Sequence, residues 1–144
     1  MGRSQRGFTL IEIVMALTLA GLFIYGGAYT FQRLVPKFQL QSGIWEVTSG
    51  LNQARFRAIM SGAPVRVRFV PSGFVFERYD EAAKIWLTAR AASLPGVAVR
   101  ANNSPVFHPQ GTVSDLASIT VSNAQGTYRI TIAITGRVRT ARVG

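Results

Sequence analysis

The chain has 144 residues, no cysteine, and sixteen lysines and arginines against six acidic residues, which gives a formal net charge of +10. The length allows one small domain, and the lack of cysteine excludes disulfides, thiolate metal sites and cysteine nucleophiles. The charge favours polyanionic partners such as nucleic acid or an anionic lipid surface, although arginines that only keep a small domain soluble would give the same composition.

The first predicted element is an apolar helix. Between Phe8 and Phe31 the only charged side chain is Glu12, and these twenty-four residues would form a helix about 36 Å long, enough to cross a hydrocarbon core of about 30 Å. Arg3 and Arg6 precede it, so the positive-inside rule predicts a single crossing with the N-terminus in the cytoplasm and the rest of the chain outside. A cleaved secretory signal fits less well because no A-x-A-like site follows the apolar run.

Glu12 places a carboxylate at the leading edge of this helix. Thr9 and Glu12 have the spacing of a capping box, and an acid in the first turn suits the positive end of the helix dipole. The alternative is that the carboxylate pairs with a cation on another copy of the helix, since an ionised acid in mid-bilayer costs about 2.5–3.5 kcal/mol. The two interpretations are compatible, because a cap in the monomer can become an ion pair in an assembly.

The segment GFTLIE at residues 7–12, preceded by arginine and followed by an apolar helix, resembles the class III signal of type IV pilins and pseudopilins. The resemblance implies that a prepilin peptidase cleaves between Gly7 and Phe8 and N-methylates Phe8, so that residues 1–7 are a leader peptide. It also implies that Glu12 pairs with the Phe8 amine of a neighbouring subunit during filament assembly.

A second apolar pattern continues the helix beyond Pro36, a residue that should kink or interrupt it. Apolar residues recur there at three-four spacing along one face: Ile44, Val47, Leu51, Ala54 and Ala58. This spacing predicts a helix face buried against a globular part. We therefore predict one long helix, from residue 8 to about residue 60, which ends at the SGAP segment 61–64.

After this segment the period of the apolar residues changes to two, which predicts strands. The predicted strands lie at residues 65–70, 74–79, 85–87, 97–100, 118–122 and 127–135, with 136–144 as an edge strand or a tail. A long helix followed only by antiparallel strands predicts an α+β fold. The chain is thereby divided into a leader at 1–7, a transmembrane assembly helix at 8–35, and a domain at 36–144 that combines the second half of the helix with a small antiparallel β-sheet.

A second resemblance lies in the C-terminal half. FHPQGT at 107–112, a strand hairpin, and ITGRVR at 134–139 are similar to the C-terminal half of the GspH/FimT group of minor pilins and pseudopilins. This resemblance implies a type IV pilin-like fold, with Gly111 and Gly136 as motif glycines. Independently of it, Pro109 fixes φ and Gly111 permits a positive φ, which predicts a turn.

No residue pattern in the chain predicts catalysis. His108 is the only histidine, and without cysteine and with few acids it cannot build a metal site. A triad of His108, Asp115 and a nearby serine lacks a nucleophile elbow, and no glycine pattern resembles a phosphate-binding loop. We interpret His108 as a turn residue, and we expect a protein that is not an enzyme, with no cofactor, no metal and no small-molecule substrate.

The remaining candidate site is the GRVR segment at 136–139, followed by Arg142. In an extended segment Arg137 and Arg139 share a face and lie about 6.7 Å apart. This is about twice the 3.4 Å axial spacing of phosphates along one DNA strand, so both could contact one backbone. Guanidinium groups suit phosphate, and phosphate contacts read no sequence. The alternative is a solvated edge strand whose arginines discourage aggregation.

The GRVR segment also resembles the tail of FimT-like minor pilins, where it implies binding of incoming DNA in natural transformation. The first hypothesis is therefore a FimT-like minor pilin of a type IV pilus that holds DNA non-specifically through Arg137, Arg139 and Arg142. Arg66 and Arg68, on the polar face of another strand, could extend the patch if the fold brings them alongside. The second hypothesis is a GspH-like minor pseudopilin of a type II secretion system that acts through protein contacts. The third hypothesis is a purely structural filament subunit. The expected partners are prepilin peptidase, other pilins or pseudopilins, the inner membrane and, in the first hypothesis, DNA.

Overall fold

The computed structural model describes residues 9–143, and within them one α-helix is followed by nine β-strands. The elements are α1 (Leu10–Ser61), β1 (Val65–Val70), β2 (Gly73–Asp80), β3 (Ile85–Ser93), β4 (Ala98–Ala101), β5 (Val106–Phe107), β6 (Val113–Ser114), β7 (Ser118–Asn123), β8 (Gly126–Ile132) and β9 (Val138–Val143). This is the α+β order that the sequence predicts. The predicted leader and the cleavage-site residues Gly7 and Phe8 lie outside the described residues.

Helix α1 begins at a capping threonine. The backbone N–H of Glu12 donates to the Thr9 hydroxyl oxygen at 3.3 Å, and the Thr9 carbonyl accepts the first helical bond, from Ile13, at 3.2 Å. The hydroxyl thereby satisfies one of the N–H groups that a helix start leaves without a partner. The threonine half of the predicted capping box is confirmed.

The first part of α1 is long and apolar enough to cross a membrane. An 18-residue window, Leu10–Gly27, has a mean hydropathy of 1.9 and no residue buried in the protein. The Thr18 hydroxyl donates to the Val14 carbonyl at 2.8 Å, so this polar group is satisfied within its own helix, as a lipid environment requires. The chain forms two compact units, of which the first ends at Val35 and the second begins at Pro36.

Pro36 lies inside α1 and does not interrupt it, in contrast to one of the two outcomes that the sequence suggested. A proline removes one N–H from the helical ladder but leaves the carbonyl groups available. The Pro36 carbonyl accepts a hydrogen bond from the Asn123 side-chain amide at 2.7 Å. This bond ties the start of the second unit to the end of β7.

The strands form two antiparallel sheets. The first sheet has five strands in the order β3-β2-β1-β5-β6, and the second has four in the order β4-β7-β8-β9. The sequence predicts a small antiparallel sheet but not its division into two, because the division depends on pairings between distant segments. Strand β3 extends to Ser93, well past the predicted 85–87. Its second half has no alternating apolar pattern, and its pairing with β2 identifies it as a strand.

The core lies between α1 and both sheets. The predicted apolar face of the helix is buried at Val47, Leu51, Ala54 and Ala58, each at most 1% exposed, and Ile44 packs against the same core. The sheets contribute large side chains to it, among them Phe74, Phe107, Ile119, Val121 and Ile130. At Gly50 a Cβ atom would come within 2.6 Å of the Phe74 ring, so the helix approaches this ring more closely than a larger residue would allow.

Candidate functional site

The segment 136–144, expected to be an edge strand or a tail, contains the paired strand β9 at the edge of the second sheet. Its register with β8 sets Val138 opposite Ile132, and Arg139 opposite Thr131. Directly opposed residues of an antiparallel pair lie on the same face of the sheet. Ile132 is buried, so Val138 faces the core, whereas Arg139 is exposed on the outward face.

Arg137 shares this outward face with Arg139. It closes the turn between β8 and β9, where the Ala133 N–H donates to the Arg137 carbonyl at 2.9 Å and the Gly136 N–H donates to the Ala133 carbonyl at 2.8 Å. Arg137 lies two residues before Arg139 and is exposed. The Ala133–Arg137 bond continues the β8–β9 register by one pair, so from the alternation of side chains we infer that the two guanidinium groups project from the same side of the sheet.

Arg142 lies on the opposite face. It lies opposite Tyr128 and three residues after Arg139 along β9, an odd separation that puts its side chain on the other face. There it lines a cleft of about 230 Å³ on the helix side of the sheet, together with Lys37, Gln41 and Gln125. The guanidinium of Arg142 therefore does not form one surface with those of Arg137 and Arg139.

Arg66 and Arg68 belong to the first sheet and bind a carboxylate. Arg66 lies opposite Glu77 in the β1–β2 register, and its Nη2 and Nε atoms are both 2.6 Å from Oε2 of that residue. The Nε atom of Arg68 donates to Oε1 of Glu77 at 2.9 Å. Both arginines are thus occupied, and they lie in a different sheet from Arg137 and Arg139. They do not extend the C-terminal patch as the sequence hypothesis suggested.

Glu77 is the one buried charged residue among those described, with 5% of its surface exposed. Its burial disfavours the charged form, but the hydrogen bonds from Arg68 and Arg66 and their positive charges together outweigh this and hold the pKa of Glu77 below its ordinary value. The guanidinium of Arg66 also lies 4.4 Å from the centre of the Trp86 ring. This cluster is a structural ion pair that braces the first sheet.

Both motif glycines adjoin the side chain of Arg55. Gly111 has φ +82° and Gly136 has φ +78°, which confirms the predicted positive φ at Gly111. The Nε atom of Arg55 donates to the Gly111 carbonyl at 3.1 Å, and a Cβ atom on Gly136 would lie 2.8 Å from the same Nε. Arg55 therefore connects α1 to the turn that carries Arg137.

Sequence reasoning missed this role of Arg55. Arg55 is not among the apolar residues whose spacing predicts the buried face of the helix, but it is half-buried at the border of that face. Its position immediately after Ala54, and four residues after Leu51, could have indicated a charged side chain that reaches around the edge of the core.

His108 is a turn residue, as predicted. The Gly111 N–H donates to the His108 carbonyl at 2.8 Å, and the His108 N–H donates to the Thr112 carbonyl at 2.9 Å. A hydrogen bond of 2.9 Å joins Nε2 of His108 to the hydroxyl of Ser114 across the β5–β6 hairpin. These contacts fix the turn that presents the Gly111 carbonyl to Arg55.

Glu12 lies in the exposed first turn of α1. The helix cap is supplied by the hydroxyl of Thr9 and the backbone of Glu12. The predicted pairing of the Glu12 carboxylate with the amine of Phe8 concerns a second copy of the chain and stays a prediction.

Two family profiles match the sequence. The profile of the type II transport protein GspH matches residues 45–136, and that of the prokaryotic N-terminal methylation motif matches residues 2–24. A search of curated protein sequences gives no significant match.

Solved structures share the fold. The minor pseudopilin EpsH from the type II secretion system of Vibrio cholerae is similar with a TM-score of 0.62 and 15% identity, over 75% of this chain and 96% of that chain. The type IV minor pilin FimU of Pseudomonas aeruginosa is similar with a TM-score of 0.60 and 15% identity, over 73% of this chain and 90% of that chain. The GspH profile covers well over half of the chain, so the protein belongs to the GspH family and is a type IV pilin-like minor pilin or pseudopilin of the GspH/FimT group.

Proposed function

We propose that the protein is a FimT-like minor pilin that binds DNA non-specifically through Arg137 and Arg139 during DNA uptake in natural transformation. The observation that carries the proposal is the exposure of these two arginines, one immediately before β9 and the other on its outward face. Within residues 9–143 the salt bridges are those of Arg66 and Arg68, so Arg137 and Arg139 have no carboxylate within 4.0 Å. Both guanidinium groups are available to phosphate oxygens.

The distribution of charge supports the same partner. No acidic residue follows Asp115, whereas Arg129, Arg137, Arg139 and Arg142 all do. Protection of an exposed sheet edge would account for one or two of these charges but not for four. A surface for protein contacts has no need of an uncompensated basic region. A surface that attracts any DNA sequence requires one.

The N-terminus supports incorporation into a filament. In our proposal prepilin peptidase cleaves between Gly7 and Phe8 and methylates the Phe8 amine, and the methylation-motif match over residues 2–24 supports this. The carboxylate of Glu12 then pairs with the Phe8 amine of a neighbouring pilin. Burial of the apolar helix against other helices offsets its removal from lipid.

The domain organisation follows from this role. We propose that residues 1–7 are a leader, that 8–35 form the transmembrane and assembly helix, and that 36–144 form the domain outside the membrane. The N-terminus is cytoplasmic and the domain periplasmic until the subunit enters the pilus, and the apolar window Leu10–Gly27 supports a single crossing.

DNA binding by the full chain in zwitterionic detergent micelles tests the proposal. Fluorescence anisotropy would be measured with two labelled duplexes of unrelated sequence, for the wild type and for Arg137→Gln/Arg139→Gln. The matched control is Arg78→Gln/Arg90→Gln, which removes the same charge from exposed positions of the first sheet. We expect the wild type and the control to bind both duplexes alike and the C-terminal variant to lose most of its affinity.

A second candidate is a GspH-like minor pseudopilin of a type II secretion system that acts through protein contacts. The exposed aromatic residues of α1 favour it, since Phe38, Trp45 and Phe56 are each more than 60% exposed and exposed apolar patches mark protein interfaces. Absence of DNA binding by the wild type at low salt would overturn the first proposal and leave this one.

A further inference from the structure

The outward face of the second sheet carries two more arginines. The register sets Arg100 of β4 opposite Thr120 of β7, Thr120 opposite Arg129 of β8, and Arg129 opposite Ala141 of β9. Residues that are directly opposed share a face, so this row crosses all four strands on one side. Arg139 lies two residues from Ala141 along β9 and therefore belongs to the same face.

All four arginines of this face are exposed and unpaired. Arg100, Arg129, Arg137 and Arg139 are exposed, and none has a carboxylate within 4.0 Å among the described residues, whose two salt bridges both involve Glu77. In contrast to Arg66 and Arg68, they are free to bind an external anion.

The other residues of this face add neither negative charge nor aromatic rings to it. They are mostly small or carry hydroxyl groups: Ala98, Ser118, Thr120, Ser122, Thr127, Thr131, Ala141 and Val143. Neither an acidic nor an aromatic side chain occurs among them. Hydroxyl groups donate to phosphate oxygens, and without aromatic rings the face has no platform on which unpaired bases could stack.

The dimensions of the face suit a DNA backbone. With strands about 4.8 Å apart, Arg100 and β9 are separated by three spacings, about 14 Å, and Arg137 lies about 14 Å from the row of Arg129 measured along the strands. A duplex carries about eight phosphates over such a length, whereas a single strand carries about four. Four guanidinium groups can therefore find four phosphates on either, and the preference for a duplex follows from the lack of a platform on which the unpaired bases of a single strand could stack.

We propose that the DNA-binding surface is the whole outward face of the second sheet, with Arg100 and Arg129 as additional phosphate-binding residues, and that it binds double-stranded DNA in preference to single strands. This inference rests on the proposed function. In this proposal four arginines of the sheet contact the DNA backbone, rather than the two C-terminal arginines alone. All four contacts are to phosphates, so the binding does not depend on base sequence.

The salt dependence of binding by the full chain in detergent micelles tests this. Each phosphate contact contributes about −0.9 to the slope of log K against log salt for a duplex. With four contacts the wild-type affinity should fall about 150-fold between about 50 and about 200 mM salt, and that of Arg100→Gln/Arg129→Gln about 12-fold. The charge-matched control Arg78→Gln/Arg90→Gln should keep the wild-type slope, and Arg100→Lys/Arg129→Lys should restore most of it.

The outcomes separate this inference from the proposed function. If Arg137→Gln/Arg139→Gln loses binding while Arg100→Gln/Arg129→Gln keeps the wild-type slope, the site is confined to the C-terminal arginines and the four-point face is wrong. If the wild type does not bind any DNA, both proposals fail. Tighter binding of a single strand than of a duplex of equal length would overturn the duplex preference. Circular dichroism of each variant should match that of the wild type, since exposed substitutions cost about 0.5 kcal/mol or less.

Discussion

The side chain of Arg55 occupies the space into which a side chain at Gly136 would project: a Cβ atom there would come within 2.8 Å of Nε of Arg55. The same Nε atom donates to the Gly111 carbonyl at 3.1 Å. One arginine of the helix is therefore hydrogen-bonded to the turn at Gly111 and packs against the turn at Gly136, which leads into Arg137. The second half of α1 and the proposed DNA-binding face meet at this residue.

This relationship predicts the effect of a methyl group at Gly136. Gly136→Ala should destabilise the protein in two ways, because alanine is strained at φ +78° and because its Cβ collides with Arg55. The strain alone costs about 1–2 kcal/mol. Gly62→Ala is the matched control, since Gly62 has φ +63° but open space around its Cβ position. Thermal unfolding should show a larger loss for Gly136→Ala than for Gly62→Ala, and equal losses would remove Arg55 from the explanation.

The second prediction concerns Arg55 itself. Arg55→Met keeps much of the apolar stem but leaves the Gly111 carbonyl without its donor, at a cost of about 1–3 kcal/mol. The turn at Gly111 and the adjoining turn before Arg137 should become more mobile, so amide hydrogen exchange at Gly111, Ala133 and Gly136 should accelerate and DNA affinity should fall. Arg57→Met is the control, since Arg57 lies over the Phe76 ring at 5.5 Å rather than at the turn. Unchanged exchange at the turn in Arg55→Met would contradict the positioning role.

The third prediction is a pH dependence that originates from Glu77. Because its two arginines lower its pKa in the folded protein, the ion pair contributes stability above the ordinary carboxyl pKa of about 4.3, and this contribution is lost as the pH falls through the folded value. Glu77→Gln should therefore lower the free energy of unfolding by about 1–3 kcal/mol at neutral pH, and the gap to wild type should narrow in acid.

Urea unfolding of the full chain in detergent, measured from about pH 3 to about pH 8, checks this prediction. Glu81→Gln provides the control, since Glu81 is exposed at the β2–β3 turn and forms no salt bridge in the part of the chain that the structure describes. A gap between Glu77→Gln and wild type that is the same at every pH would show that the carboxylate charge does not carry the effect.

The fourth prediction separates the two roles of the N-terminal motif. Glu12→Ala should leave membrane insertion and leader cleavage intact but reduce incorporation into filaments, since it removes the proposed partner of the Phe8 amine. Thr9→Ala removes the hydroxyl that caps α1, at about 1 kcal/mol, but keeps the carboxylate. If Glu12 acted only through the helix cap, both variants would show the same incorporation defect on immunoblots of sheared filaments.

Leader processing gives the fifth prediction. Gly7→Glu places a charged side chain at the proposed cleavage position, so the peptidase should no longer cut there. The protein would then migrate on a gel with its leader still attached. A band of mature size would argue against cleavage between Gly7 and Phe8.

Most of helix α1, and the burial of one face of its second half, could be predicted from the sequence. The three-four spacing at Val47, Leu51, Ala54 and Ala58 is a local property, and all four are buried. The partner of Arg66 could also have been found, because a two-residue loop at Pro71 and Ser72 sets Glu77 opposite Arg66 in the hairpin register.

The alignment of Arg100 with Arg129 could not be predicted. It requires that β4 pair with β7, which lies about twenty residues further along the chain, and that β7 pair with β8 in one particular register. Local periodicity gives the face of each residue within its own strand, but not which strand lies beside it. The contact of Arg55 with the two glycine turns depends on such long-range packing as well.

Uptake of DNA by cells is the most direct test of the central claim. The chromosomal copy would be changed to Arg137→Gln/Arg139→Gln or to the control Arg78→Gln/Arg90→Gln, and import of a fluorescent duplex and transformation frequency would be scored in cells with normal filament incorporation of the subunit. We expect a loss of at least about tenfold for the first variant, as for two lost phosphate contacts, and wild-type uptake for the control. Wild-type uptake by Arg137→Gln/Arg139→Gln would contradict a role for these arginines in capturing DNA.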